Sequence, residues 1–307
     1  MIPKFRSITI ISSPYHVGIP QVAVGAGPAH LKLRGLVSTI RKRGIEVGEV
    51  EIPPVHDQFE GDIARSFEVF RRTAISVRRA HEQASFPIVI AGNCSSSVGV
   101  LAGISATLVD SDKTLACAWF DAHDDFNTPD TITSGYFDSM PIAMMGNLCF
   151  KSMLATIPGY SPLDLKRLIH VGMRDVNEIE RQHVEEAGIS VIWGNPRVKV
   201  DFNKHLAAMI DDKKLESQPS LVHIDLDSFD TSIGKANRFA APGGLQEADM
   251  RECLLTLAEK TVPMSTTIAS FDPSFEGADA IADAIIRCVS VFVDSLVAKW
   301  KILDTQG

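Results

Sequence analysis

The chain has 307 residues, 45% of them hydrophobic, and a formal net charge of −8. This composition is sufficient for a large core, and the negative charge argues against a general binder of nucleic acid or of anionic membranes. The sequence has no apolar segment of the roughly 18 residues that cross a bilayer and no signal-peptide pattern, so we expect a cytoplasmic protein without membrane or nucleic-acid partners.

Short apolar runs rich in Ile, Val and Leu recur along the chain, and each is bounded by turn residues or polar residues. They lack the strict alternation of half-exposed strands, which is typical of buried strands in a parallel sheet. The runs that predict strands cover residues 7–15, 47–52, 86–93, 115–123, 168–175, 190–194, 220–230 and 266–273.

Amphipathic stretches between several of these runs predict helices. The first has Pro28 in its first turn, where proline is common, and stops at Gly44. The predicted helices cover residues 28–44, 61–84, 246–260 and 279–300. Strands that alternate with helices predict an α/β fold with a parallel sheet covered on both faces, and we expect residues 1–307 to form one domain.

Acids and a histidine follow two of the predicted strands where each strand ends. Asp121 and His123 close the fourth run, and Asp225 and Asp227 close the seventh. A spacing of two places both side chains on one strand face, and the carboxyl ends of neighbouring parallel strands meet at one sheet edge. Carboxylate with imidazole suits Mn²⁺, Zn²⁺, Fe²⁺ or Ni²⁺. Either segment alone could be a helix cap or an exposed turn, but together they predict a metal site, with Asp124 pointing away from it.

The ordered motifs of the chain resemble those of the arginase, agmatinase and formiminoglutamase family, the ureohydrolases. DAHDDFNTPDTITSG is similar to the metal-binding segment of arginases, and SLVHIDLDSFD to the second aspartate motif of the family. Three further segments resemble family motifs: GIPQVAVGAGPAHLKLRGL, HVGMRDVNEIE and APGGL. The similarity extends over nearly the whole chain.

The resemblance implies a three-layer αβα domain with a central, mostly parallel eight-stranded sheet, often in a homo-oligomer. It also implies hydrolysis of a C–N bond in a guanidino or amidino group of a small molecule, at a pair of divalent ions that are usually Mn²⁺. By position, one ion is held by Asp121, His123, Asp225 and Asp227. The other shares Asp121 and Asp225 and adds Asp125 and a ligand from the end of the third strand.

Cys94 stands at that last ligand position, where the family has a histidine. Cysteine binds metals as a thiolate, which is softer than imidazole and favours Zn²⁺ over Mn²⁺. Three alternatives stay open: a two-ion site with Cys94 as a ligand, a one-ion site, and no metal. Because the other ligand positions are retained, we expect at least one bound ion, and Cys94 could equally be a buried, inert thiol.

Two further positions depart from the family. Asp138 stands where arginases have a catalytic histidine, and it could shuttle a proton, bind a cationic group of the substrate, or lie in a surface loop. Ser270 stands where the family has the glutamate that pairs with guanidinium, and Asp272 is expected to point the same way at another depth. A carboxylate is the natural partner of guanidinium, so this change weakens the prediction of arginine or agmatine as substrate.

Four more residues are candidate substrate contacts by resemblance. Asn127 and Ser134 match arginase contacts to an amino-acid carboxylate. Tyr136 replaces a small polar residue and would narrow the pocket, and Asn177 stands where arginases have an acid near the substrate amine.

We therefore expect a metal-dependent hydrolase of a C–N bond in a guanidino, formimino or related amino-acid-like substrate. A metal-bound water, acidified to hydroxide and oriented by Asp125, would attack the planar carbon. The alternative is a catalytically degenerate member of the family with a binding or regulatory role. The combined changes at Cys94, Asp138 and Ser270 motivate that alternative.

Overall fold

The computed structural model describes residues 4–55, 59–109 and 111–305, with side chains up to residue 301. Residues 1–3, 56–58, 110, 306 and 307 of the predicted domain lie outside the described residues. None of the described helices is long and apolar enough to cross a membrane. All five cysteines are buried and free.

The eight predicted strands form one sheet, and every pairing within it is parallel. The strands are β1 (Ser7–Ser13), β2 (Glu46–Glu51), β3 (Ser85–Ala91), β4 (Ala116–Phe120), β5 (Leu168–Val171), β6 (Ser190–Ile192), β7 (Pro219–Asp225) and β8 (Val262–Ala269). Their order across the sheet is β2-β1-β3-β8-β7-β4-β5-β6. The expected central parallel sheet of eight strands is confirmed.

The sheet separates two hydrophobic cores, because consecutive residues of a strand face opposite sides. On β4, Trp119 and Phe120 project into different cores. Trp119 packs into the core beneath the helices over 61–82 and 96–108. Phe120 packs into the core beneath the helices over 27–33, 36–41, 202–212, 247–260 and 278–305. Every residue of β3, β4 and β7 is buried, which explains why these runs show no polar alternation. The three-layer αβα arrangement follows from these two cores.

The predicted helix 28–44 is wrong in one respect, because the chain forms two helices there. Gly35 lies between them with a φ of 99°, a left-handed conformation that glycine adopts readily and that ends a helix. The helices are α1 (Gly27–Leu33), α2 (Leu36–Arg41), α3 (Gly61–Glu82), α4 (Ser96–Leu108), α5 (Pro141–Met145), α6 (Lys151–Leu154), α7 (Glu178–Glu186), α8 (Phe202–Asp212), α9 (Glu247–Lys260) and α10 (Ala278–Thr305).

His81, near the end of α3, is buried between that helix and the sheet. Its Nε2 donates to the carbonyl oxygen of Met264 on β8 at 2.9 Å. Burial lowers the pKa of His81 to about 4, and the bond to Met264 opposes this shift only in part. A histidine in the unfolded chain has a pKa of about 6.5. As the pH falls from about 6.5 to about 4, the unfolded chain therefore binds a proton that the folded chain does not, and stability is lost.

We predict that His81→Gln loses about 2–3 kcal/mol less stability than the wild type between pH 7 and pH 4.5, because glutamine can keep the bond but does not titrate. Urea unfolding at the two pH values, in the presence of a chelator, measures the difference. His205→Gln replaces an exposed histidine on α8 and should behave as the wild type. Equal acid sensitivity in all three proteins would contradict the prediction.

Candidate metal centre

The carboxyl ends of four neighbouring strands, β3, β8, β7 and β4, bring most of the predicted site residues together. They open into a cavity of about 230 Å³. The predicted residues that line it are Cys94, His123, Asp125, Asn127, Ser134, Tyr136, Asp138, Asp225, Asp227 and Ser270. Asp121 lies directly behind this lining and is fully buried.

Three of the predicted ligands of one ion converge at the floor of the cavity. One donor atom from each of Asp121, His123 and Asp227 lies within 4.8 Å of the other two. Nδ1 of His123 is 3.4 Å from Oδ1 of Asp121 and 3.4 Å from Oδ2 of Asp227. This is the mixed carboxylate and imidazole set that the spacing of the two motifs predicts.

Carboxylates crowd around these atoms and shift one another's protonation. Burial, reinforced by the neighbouring carboxylates, raises the pKa of Asp125 and Asp225 well above the usual range and also raises that of Asp121. Oδ2 of Asp125 is buried without a hydrogen-bond partner among the described residues. Buried anions without enough donors are costly, and a divalent cation is the usual compensation. The residues present therefore fit a divalent ion.

His123 and Asp227 shift each other's pKa towards the charged form. Burial alone would lower the pKa of His123, but the carboxylates of Asp227, Asp121 and Asp175 raise it well above the usual value. Burial likewise opposes ionisation of Asp227, yet His123 and Asn237 hold its pKa below the usual range. Nδ2 of Asn237 donates to Oδ2 of Asp227 at 3.1 Å.

Cys94 lies across the floor of the cavity from these residues. Its thiol donates to Oδ2 of Asp225 at 2.9 Å. Burial, with the charges of Asp225, Asp125 and Asp138, raises the pKa of the Cys94 thiol well above the usual value. Without a cation beside it, Cys94 is a thiol that is hydrogen-bonded to one of the predicted bridging carboxylates.

Asp138 lines the cavity, but its carboxylate is occupied by the turn that follows β3. It accepts from Nδ2 of Asn93 at 2.6 Å and from the backbone N–H groups of Cys94 at 3.2 Å and Ser95 at 2.9 Å. Burial raises the pKa of Asp138, although these donors oppose the shift. The surface-loop alternative is excluded because Asp138 is 5% exposed. Its role as a proton shuttle stays a prediction.

Asn177 does not lie at the cavity. Its side chain caps α7 by accepting from the backbone N–H groups of Ile179 and Glu180. Glu180 lines the cavity instead, and its Oε1 accepts from Nδ2 of Asn127 at 3.2 Å. The sequence signal for Glu180 is the capping box, in which the third helical residue turns back towards the cap.

Two acids differ from the expectation. Asp124 does not point away; it is buried and lines the cavity, where burial and Glu180 raise its pKa to about 7. Asp272 is absent from the described lining, and its Oδ1 accepts from the backbone and hydroxyl of Ser274. The strand β8 ends at Ala269, and Ser270 has a φ of 65°, so the alternation of a strand does not reach Asp272.

An aromatic wall closes one side of the cavity. The ring centroids of Tyr136 and Phe239 are 5.7 Å apart, and Phe239 lies edge-on to His123 at 5.9 Å. Asp175, whose Oδ2 is 3.6 Å from Nε2 of His123, lies at the rim. Phe239 and Asp175 were not predicted from the sequence, since neither belongs to a motif at the end of β4 or β7.

The chain is similar to known proteins in both sequence and structure. A sequence model of a protein family, described as Arginase family, matches residues 7–291. An arginase of Bacillus caldovelox is 24% identical over 304 residues, which are 95% of this chain and 100% of that protein. Arginase-1 of Xenopus laevis is 27% identical over 269 residues, which are 80% of this chain and 79% of that protein. The crystal structure of arginase from Bacillus subtilis has the same fold, with a TM-score of 0.82 at 22% identity over 94% of this chain and 98% of that one.

We predict that Asp138→Ala destabilises the chelator-treated protein by about 3 kcal/mol or more, because three buried donors lose their acceptor at roughly 1–3 kcal/mol each. Asp138→Asn keeps one acceptor oxygen and should lose less. Thermal or urea unfolding measures both, with Asp130→Ala in the same loop as an exposed control. Stability of Asp138→Ala equal to that of the control would show that the carboxylate does not hold the turn.

Proposed function

The chain belongs to the arginase family, and we propose that it is a metal-dependent hydrolase of a C–N bond in the guanidino, formimino or related amidino group of a small, amino-acid-like substrate. Proteins of this family are hydrolases of C–N bonds in linear amidines. The observation that carries the proposal is the convergence of Asp121, His123 and Asp227 at the floor of a cavity.

Asp121, His123, Asp225 and Asp227 would hold one ion, and Asp125 would contribute to a second beside it. Mn²⁺ is the expected metal by family, while Zn²⁺, Fe²⁺ and Ni²⁺ are compatible with carboxylate, imidazole and thiol donors. A bound divalent ion acidifies water and polarises the carbon under attack. The unpartnered Oδ2 of Asp125 would accept a hydrogen bond from the attacking water and orient it.

The lining of the cavity favours a small cationic substrate. Among the described residues that line it there are seven acids and neither lysine nor arginine. Its volume of about 230 Å³ is below the roughly 300–1,000 Å³ of sites for drug-sized ligands. Glu180 and Asp175 at the rim would bind an amine, and Asn127 and Ser134 would donate to a carboxylate of the substrate.

Ser270 favours a substrate whose reacting group needs fewer hydrogen-bond acceptors than the guanidinium of arginine. Its hydroxyl and carbonyl oxygens accept from Nδ2 of Asn237, so this corner of the cavity presents neutral groups. A guanidinium ion prefers a bidentate carboxylate, whereas a formimino or smaller amidino group needs fewer acceptors. From family alone we add that the protein acts in the cytoplasm as a homo-oligomer.

We predict that the protein, reconstituted with Mn²⁺ or Zn²⁺, holds at least one equivalent of metal and releases urea or ammonia from a guanidino or formimino amino acid. His123→Ala should lose most of this metal and activity, and Asp130→Ala should retain both. Elemental analysis and a colorimetric product screen measure the two properties. Metal below about a tenth of an equivalent would contradict the proposal, and bound metal without any turnover would favour the degenerate alternative.

Glu180 is the residue whose replacement should affect substrate binding. We predict that Glu180→Gln raises KM for an amine-containing substrate about tenfold or more with little change in kcat, because it removes a charge-assisted hydrogen bond away from the reacting carbon. Glu178→Gln, an exposed neighbour on α7, is the matched control. A fall in kcat with unchanged KM would place Glu180 in the chemistry instead.

A further inference from the structure

We propose that His223 is a metal ligand that, with Cys94 and Asp121, makes the second cation position selective for Zn²⁺ over Mn²⁺. The inference deepens the proposed metal centre and rests on it. The imidazole missing at residue 94 would be supplied from beneath the floor of the cavity by His223, which is fully buried and was not among the predicted ligands.

The strand β7 places His223 directly beneath the centre. His223 precedes Asp225 by two residues, so both side chains project from the same face of the sheet. Trp119, the residue two before Asp121, pairs with His223 across β4 and β7. The two rings stack with centroids 3.6 Å apart, and Nε1 of Trp119 donates to Oδ2 of Asp121 at 3.0 Å. The stacked rings of Trp119 and His223 therefore lie directly beneath the carboxylates of Asp121 and Asp225.

The donor atoms of these residues already lie at a spacing close to that of a coordination shell. A sulfur of Cys94, an oxygen of Asp121 and a ring nitrogen of His223 all lie within 4.8 Å of one another. Ligand atoms around a tetrahedral Zn²⁺ are separated by about 3.3–3.7 Å, given metal distances of about 2.0–2.3 Å. Small side-chain shifts would therefore close the three donors around one ion.

The hydrogen bonds of His223 leave one nitrogen for the metal. Nδ1 is 2.7 Å from Oγ of Ser97, and Nε2 is buried without a hydrogen-bond partner among the described residues. Metal-binding histidines commonly donate their second N–H to a neighbouring acceptor, which fixes the tautomer and the ring. With Nδ1–H donated to Ser97, the lone pair of Nε2 is the one left free for an ion, and we assign Nε2 as the ligand atom on that basis.

A buried, unpartnered histidine is not by itself a ligand, and the same sheet supplies the contrast. His170 on β5 pairs with Trp119 on its other side, and both of its ring nitrogens also lack partners. Unlike His223, His170 belongs to neither group of converging donors among the described residues. A purely structural account, in which histidine packs against tryptophan, treats the two histidines alike; ligation distinguishes them.

The donor types decide the preferred ion. The group of Asp121, His123 and Asp227 has no sulfur and suits Mn²⁺, whereas thiolate with imidazole is the soft combination that selects Zn²⁺. Binding converts the Cys94 thiol to a thiolate, and its proton, now shared with Asp225, leaves to solvent. The oxidation state of the metal does not change.

Cobalt titration of the metal-free protein tests the proposal without turnover, because Co²⁺ reports on zinc positions. The wild type should develop a sulfur-to-cobalt charge-transfer band that Zn²⁺ removes in competition and Mn²⁺ does not. Cys94→Ser should abolish the band. His223→Phe, which keeps the stacked ring, should weaken Zn²⁺ affinity by about tenfold or more, on the scale of affinity lost when a metal site is disturbed.

The matched controls are His170→Phe, on the other side of Trp119, and Cys117→Ser, a buried thiol outside both groups of donors. Both should bind as the wild type. If His223→Phe does not fold, His223→Gln replaces it, and X-ray absorption at the zinc edge of the wild type must show one sulfur ligand. A zinc shell without sulfur, or wild-type Zn²⁺ affinity in the folded His223 variant, would overturn the inference.

The same measurements separate this inference from the proposed function. A sulfur-bound zinc in a protein that hydrolyses none of the compounds supports the ligand assignment and defeats the hydrolase proposal. Hydrolysis with Mn²⁺, without any sulfur-to-metal signal, supports the hydrolase proposal and defeats the ligand assignment.

Discussion

The constraint on which the rest of the site depends is the burial of four carboxylates at the ends of adjacent parallel strands. Asp121, Asp125, Asp225 and Asp227 share one low-dielectric floor, where each charge raises the cost of the others. The strands cannot move apart, since β7 lies between β4 and β8 in a sheet with a core on each face. The surrounding polar groups are therefore best understood as partial compensation for this fixed negative charge.

The compensation comes from several side chains, including the Cys94 thiol on Asp225, and is incomplete. His123 pairs with Asp121 and Asp227, the indole N–H of Trp119 reaches Asp121, and Asn237 reaches Asp227. Asp125 keeps an oxygen without a partner among the described residues. A site with fully paired carboxylates would be a structural network, whereas the unpaired oxygen of Asp125 leaves an acceptor that fits a divalent cation.

The sheet and much of the site could be predicted from the sequence because both depend on a simple periodicity of apolar and acidic residues. Apolar runs without alternation predicted the buried strands, and the i, i+2 pairs at their ends predicted which acids meet. The features that the sequence did not predict depend on contacts between elements or on backbone conformation. His223 looks like part of a buried strand until its partner Trp119 is known, Glu180 reaches the cavity through a helix cap, and the break at Gly35 depends on backbone conformation. The position of Asp124 could not be predicted either, because β4 ends at Phe120 and the regular alternation of a strand does not reach Asp124.

The departures from the family pattern make more sense together than singly. Replacing a histidine by Cys94 adds a negative charge to the floor once the thiol ionises, whereas replacing a glutamate by Ser270 removes one from the same cavity. Asn237, which donates to both Asp227 and Ser270, fills the corner with a neutral donor where a further carboxylate would repel Asp227. Asp138 keeps its charge tolerable by binding three donors of the turn that carries Cys94. Under the proposed metal binding these changes offset one another electrostatically, which supports the proposal of a softer ion and a less basic substrate over the degenerate alternative.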